Sequence, residues 1–180
     1  MAASRRAGFS GTIGTMANQL NVDEQRRLQR LLRDSRWAAL ATVRDDQPLA
    51  SWVAFAAEED FAGFILHLSR LALHTRYLLD NPRAALALSE PDSVPQPDPQ
   101  LLARVSLQGQ VTAVARGAPG YDRARRLYLA RLPEAAVQFE LGDFELYRFV
   151  VETGRFVSGF GRAYRIGPAE LHRLAALDPD

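Results

Sequence analysis

Hydrophobic residues recur along this chain with two periods, and the switch between them marks out its elements. From Phe64 to Ser69, the residues Phe64, Leu66 and Leu68 alternate with Ile65, His67 and Ser69, the period-two signature of a strand. The alternation then breaks, and Tyr77, Leu78 and Leu79 run into Asp80-Asn81-Pro82, which stops a short helix. Upstream, Asn21 and Glu24 have the spacing of a capping box, and Leu28, Leu31 and Leu32 form one face of a helix to about Arg36. Arg26, Arg27, Arg30 and Arg33 fall on the opposite, solvated side.

The same reading predicts further strands. Trp37–Val43 is followed by the turn Arg44-Asp45-Asp46-Gln47-Pro48 and by Leu49–Ala57, where Ser51, Val53 and Phe55 oppose Trp52, Ala54 and Ala56. Arg83–Ser89 is a buried strand. Pro91, Pro95, Pro97 and Pro99 make residues 90–100 an irregular excursion. Arg104–Val114 alternates again, with Val105, Leu107, Gly109 and Val111 against Arg104, Ser106, Gln108 and Gln110. A helix over Tyr121–Leu132 and a short helical turn to Phe139 come next. Asp143–Val151 is a strand, Thr153-Gly154 predicts a hairpin turn, and Arg155–Ile166 returns as the last strand. Gly159 and Gly161 share one face of it and suggest a bulge or a close approach. A short amphipathic helix follows Pro168. About seven mostly antiparallel strands with helices between and around them predict an α+β protein built on a closed or partly closed barrel.

Composition narrows the chemistry. A length of 180 residues suits one domain, and residues 1–20 read as a polar, flexible tail ahead of a domain over 21–180. Cysteine is absent, which removes thiolate catalysis and Cys-ligated metals. All 22 basic residues are arginine, so no Schiff base or P-loop lysine is available. Arginine suits planar recognition of phosphate and carboxylate. The histidines, His67, His74 and His172, make no compact ligand motif, so no metal site is expected. A net charge of +1 gives no reason to expect nucleic acid or an acidic membrane. No apolar signal core or membrane-length run occurs, and a cytoplasmic location is expected.

One stretch carries candidate chemistry. A strand that delivers Ser69, Arg70, His74, Thr75 and Arg76 to the start of a helix offers hydroxyls, guanidinium groups and free amides to an anion. A phosphate cradle and a solvated polar turn both satisfy this pattern.

The order of pieces resembles the FMN-binding split-barrel family, the pyridoxamine 5′-phosphate oxidase-like group. The residues that carry it are Trp37–Val43, Gln47–Val53, Leu66–Ser69, His74-Thr75-Arg76, Asp80–Arg83 and Arg104–Gly109. Ser69–Arg76 and Val157–Ala163 are most similar to its haem-utilisation (HugZ-like) branch. The resemblance implies a six- to seven-stranded antiparallel split β-barrel that pairs as a homodimer with flavin at the interface. It implies that Ser51, Ser69, Arg70, His74, Thr75 and Arg76 hold the FMN phosphate. Val53 and Ala54 would lie beside the flavin ring, Arg104 or Gln108 would address flavin or phosphate, and Phe160 to Arg162 would close the pocket.

The expectation is therefore an FMN-dependent oxidoreductase acting on a small molecule of unknown identity, with catalytic residues unassigned. The alternatives are a haem-binding or haem-utilisation protein and a non-enzymatic flavin carrier or sensor, with haem or a deazaflavin in place of FMN. A nucleic-acid binder is the remaining and weakest reading.

Overall fold

The computed structural model describes residues 19–93 and 98–178; residues 1–18 of the predicted tail and Pro95 and Pro97 of the proline excursion lie outside them, while Leu20 of that tail packs against the core. Helix α1 spans Val22–Asp34 and opens with the expected capping box, in which the Glu24 amide donates to the Asn21 side chain and the Asn21 amide to Glu24. Strands β1 (Trp37–Arg44), β2 (Gln47–Ala57) and β3 (Gly63–Ser69) lead into α2 (Leu73–Asp80). Then come β4 (Arg83–Ser89), β5 (Arg104–Val114), α3 (Tyr121–Arg131) and a 3-10 stretch, Pro133–Glu140. The long β6 (Phe144–Gly159), β7 (Arg162–Ile166) and α4 (Pro168–Ala175) complete the chain.

The sheet order is β3-β2-β1-β4-β5-β6-β7, and an added β3–β6 ladder closes the first six strands into a barrel. All pairings are antiparallel. This is the α+β split-barrel-like fold the sequence implies. Asp45 and Asp46 both take positive φ in the two-residue β1–β2 turn, which matches the right-handed twist of the flanking strands. Phe55, Leu66, Leu86, Leu107, Phe149 and Phe156 fill the interior. Leu28 and Leu32 of α1 plug one end, and Leu78 of α2 plugs the other. A second apolar cluster lies outside the barrel, where α3 and the 3-10 stretch cover Ala56, Ile65 and Leu146.

The barrel is uneven in its pairing. β2 meets β3 over only Phe55–Ala57, whereas the far half of β3, from His67 to Ser69, pairs with β6 alone. α2 sits at this opening and packs on β1 and β2.

The expected hairpin at Thr153-Gly154 is corrected by the structure. β6 runs unbroken through it, and the turn comes later, at Gly159-Phe160-Gly161, where Gly159 and Gly161 take φ of 146° and 79°. Gly154 is instead a close-approach position: a Cβ there would meet Leu107 Cδ2 at 2.8 Å and Ser106 O at 3.0 Å. A bulge lies beside it, with Gln108 opposite Thr153 but Gly109 opposite Val151. At Gly109 a Cβ would fall 1.9 Å from the Val150 carbonyl oxygen. Both glycines let β5 and β6 coil tightly at a barrel corner, a role that resembles a turn signal in sequence. Two arginines of α1 also depart from the solvated reading. Arg27 pairs with Glu90 and donates to Ser158 O at 2.6 Å, and Arg33 donates to Ala175 O at 2.8 Å. Among the described residues no helix is long and apolar enough to cross a membrane, and no group of three metal-ligating side chains converges.

Candidate functional site

The strand-to-helix handover forms as expected at the α2 end of the barrel. Ser69 Oγ donates to the Asp143 carboxylate and accepts from the Leu71 amide at 3.1 Å. Arg70 bonds Gly142 O at 2.9 Å and approaches Glu145 at 3.3 Å. These two residues tie the turn to the start of β6. No side chain caps α2, whose N-cap is Ala72, so its first amides are open to an anion. Arg76 is exposed beside them, and burial holds the His74 imidazole below its ordinary pKa. Beneath α2, Thr75 is fully buried, and its hydroxyl has no partner. The buried hydroxyls of Thr42 and Ser51, on the adjoining strands β1 and β2, have none either. Buried hydroxyls are ordinarily satisfied, and an unsatisfied one costs roughly 1–3 kcal/mol. An uncapped helix start, two arginines and orphaned hydroxyls fit a phosphate group. Val53 points into the barrel core at 4% exposure, and Ala54 packs under α3.

A larger feature lies on the outer face of the sheet, a groove of about 920 Å³. Strand register builds it row by row. Trp52 stands opposite Ala39, Ala39 opposite Ala87, Ala87 opposite Ser106, Ser106 opposite Arg155, and Arg155 opposite Arg165. This row crosses six strands, about 24 Å at ~4.8 Å per strand spacing. The next row reads Ala50, Ala41, Ala85, Gln108, Thr153. The groove thus has aromatic residues at one edge, a flat alanine floor, and Arg104, Arg155 and Arg165 at the other edge. Trp37 stacks on Trp52 with ring planes 2° apart, and both rings are more than half exposed. No carboxylate lines the groove among the described residues. Arg155 and Arg165 are like charges directly opposite each other, a pairing that destabilises a sheet. Neither guanidinium group has an ion pair or hydrogen bond among the described residues.

The far end of the barrel holds the remaining candidates. Glu24 is 5% exposed, and its Oε1 accepts from Tyr164 (2.6 Å), Ser158 (2.9 Å) and Arg162 (3.3 Å). Burial alone would raise this carboxyl, but the hydrogen bonds outweigh it and hold its pKa below the ordinary value. Arg162 is thereby committed to α1. Phe160 stands out at the hairpin tip, 77% exposed.

His67, with Ser69 on one face of β3, is not in any open cavity. Its ring stacks on Phe139 at 3.9 Å and meets the edge of Tyr128. Burial, with help from the Arg116 charge, pushes its pKa down to about 4, so it is neutral near pH 7.

Within one chain the candidate residues fall into three places. Ser51, Ser69, Arg70, His74, Thr75 and Arg76 gather at the α2 end. Arg104 and Gln108 line the groove, and Phe160 and Arg162 stand at the opposite end. Sequence reasoning missed Arg155, Arg165, Trp52 and the alanine floor as groove residues. The false hairpin hid the arginines, because a turn at Gly154 removes the register that sets Arg155 beside Ser106.

A search against protein families matches residues 25–158 to the pyridoxamine 5′-phosphate oxidase family. A chloroplastic heme oxygenase, HOZ, of Arabidopsis thaliana is 33% identical over 138 residues, 73% of this chain and 39% of that protein. The chain therefore spans well under half of this relative's length. The heme oxygenase HutZ of Vibrio cholerae is 28% identical over 148 residues, 77% of this chain and 78% of its own. Among solved structures, a heme binding protein from Mycobacterium smegmatis superposes with a TM-score of 0.72 at 25% identity. The match covers 83% of this chain and 60% of that one. From the fold and these matches, the chain belongs to the pyridoxamine 5′-phosphate oxidase family, on the branch that holds the heme-utilisation proteins.

Proposed function

We propose that this chain is a haem-handling split barrel and that the outer groove takes the tetrapyrrole. The observation that carries the reading is the row Trp52–Ala39–Ala87–Ser106–Arg155–Arg165, with apolar, flat and cationic segments in order. A porphyrin dicarboxylate has the complementary layout, a flat apolar macrocycle with two carboxylates on one edge. Alanine side chains leave the floor level enough for a ring to lie on, and guanidinium groups bind carboxylates in bidentate fashion. The names of the relatives support haem over flavin as the first ligand to test. When bound, haem supplies iron and redox chemistry; the residues here bind, orient and neutralise its carboxylates.

A titration with haem followed at the Soret band tests the reading. Saturable binding by the wild type, weakened at least about tenfold in R155A/R165A, is the expected result. No saturable Soret change, or equal affinity in the double variant, would overturn it.

A second reading has its own observation, the orphaned hydroxyl of Thr75 in the uncapped first turn of α2, together with that of Ser51 on β2, a strand α2 packs against. FMN would place its phosphate there, with Arg70 and Arg76 supplying charge, in a homodimer whose partner brings the groove residues Arg104 and Gln108 toward the flavin. Thr75→Val keeps the shape of the side chain and removes the hydroxyl. It is expected to weaken FMN binding severalfold while leaving stability within about 1 kcal/mol of wild type, because the hydroxyl has no partner to lose. Unchanged FMN affinity would remove the phosphate assignment. A monomer in light scattering that binds FMN tightly would remove the shared site.

A further inference from the structure

We infer that the groove recognises a tetrapyrrole by its floor and its carboxylate edge rather than through its metal, so that a metal-free porphyrin dicarboxylate is as good a ligand as haem. This rests on the tetrapyrrole reading above and sharpens it. Protein ligands to haem iron are imidazole, thiolate, thioether or phenolate groups. Among the described residues none of the first three lines the groove. His67 is sealed beneath Phe139, and His74 and His172 stand on α2 and α4. The chain has no cysteine. Among the described residues Tyr164 is the lone phenol lining the groove. Its hydroxyl is spent on Glu24 at 2.6 Å, and burial, followed by that carboxylate, raises its pKa, which disfavours a phenolate.

The cationic edge has the opposite character. Arg155 and Arg165 are held opposite each other at a cost to the sheet, and among the described residues no carboxylate lines the groove to bond them. Two carboxylates on one edge of a flat ring satisfy both guanidinium groups, and neither contact depends on what occupies the ring centre. The recognised chemistry is therefore a planar apolar dianion.

Both tryptophans of the chain, Trp37 and Trp52, stand at the aromatic edge of the groove, so quenching of their fluorescence reports occupancy. The probes are haem, metal-free protoporphyrin IX and protoporphyrin IX dimethyl ester, against the wild type and R155A/R165A. Haem and the free diacid are expected to bind the wild type within about threefold of each other, and the ester at least about tenfold more weakly than the diacid. In the double variant, diacid and ester become equal. Both substituted positions are exposed on the sheet surface, and circular dichroism checks that the variant is folded. Haem binding more than about tenfold tighter than the free diacid would overturn the inference while sparing the tetrapyrrole reading. Loss of that advantage in H74A or H172A would identify the ligand to iron. Equal affinity of the wild type for diacid and ester would overturn the cationic edge. No binding of any porphyrin would overturn the tetrapyrrole reading itself.

Discussion

The α2 end of the barrel and the outer groove are both sites of unsatisfied polarity, but they are built differently. At the α2 end, the candidate residues Ser69, Arg70, His74, Thr75 and Arg76 are neighbours along the chain. One strand end and one helix start bring them together, and much of their bonding is local, as in the Ser69 contact with the Leu71 amide. In the groove, Trp52, Ala39, Ala87, Ser106, Arg155 and Arg165 come from six strands, and only register places them in one row. The polarity differs as well. The α2 end hides orphaned hydroxyls beneath a helix, suited to a small anion, whereas the groove exposes the Arg155 and Arg165 guanidinium groups, without an ion pair among the described residues, beside an apolar floor, suited to a broad, flat one. A site that depends on one segment tolerates errors in strand pairing, and a site that depends on register does not.

That contrast can be broken most severely at Gly109. Gly109→Val drives a side chain into the Val150 carbonyl and is expected to cost about 3 kcal/mol or more in urea unfolding. It shifts the β5–β6 register, so any folded fraction should lose haem binding in the groove before phosphate binding at the α2 end. Equal loss of both would show that the two regions are not independent.

His67 offers a milder test, on the wall between the β3 strand and its aromatic cover. Its pKa is about 4 in the folded chain against about 6.5 unfolded, so the unfolded state binds more protons between those values. Its contribution is complete above pH 6.5 and is lost as pH falls toward 4, by about 3 kcal/mol. His67→Phe should flatten this part of the stability profile without altering groove affinity. A profile unchanged by the substitution would mean that the imidazole is not sealed as described.

The smallest effect is also the most diagnostic of a ligand edge. R155A/R165A removes a like-charge pair and should raise thermal stability by a few tenths of a kcal/mol while binding is lost. A variant that loses both stability and binding would argue that the arginines are structural.

The sequence read well wherever its signal was local. The α1 capping box and the handover into α2 formed as their patterns predicted, and β4 runs from Arg83 to Ser89 as expected, although only Leu86 and Leu88 of this strand, expected to be buried, are buried, because its other face forms the outer surface of the sheet. It failed at Gly154, where close approach to Leu107 and Ser106 requires glycine for space, not for a turn. From one sequence the two causes look alike, and the error moved the last strand pair by several residues. The groove was illegible for the same reason, since Ala39 and Ala87 are unremarkable until strand pairing sets them side by side. Arg27 and Arg33 looked solvated because helical spacing does not reveal Glu90 or the Ala175 carbonyl waiting across the barrel end.

The most direct test of the account is a crystal structure of the protein grown with haem. The account predicts the macrocycle lying over Ala39 and Ala87 with its carboxylates on Arg155 and Arg165. Haem bound elsewhere, with those two arginines still free, would contradict it.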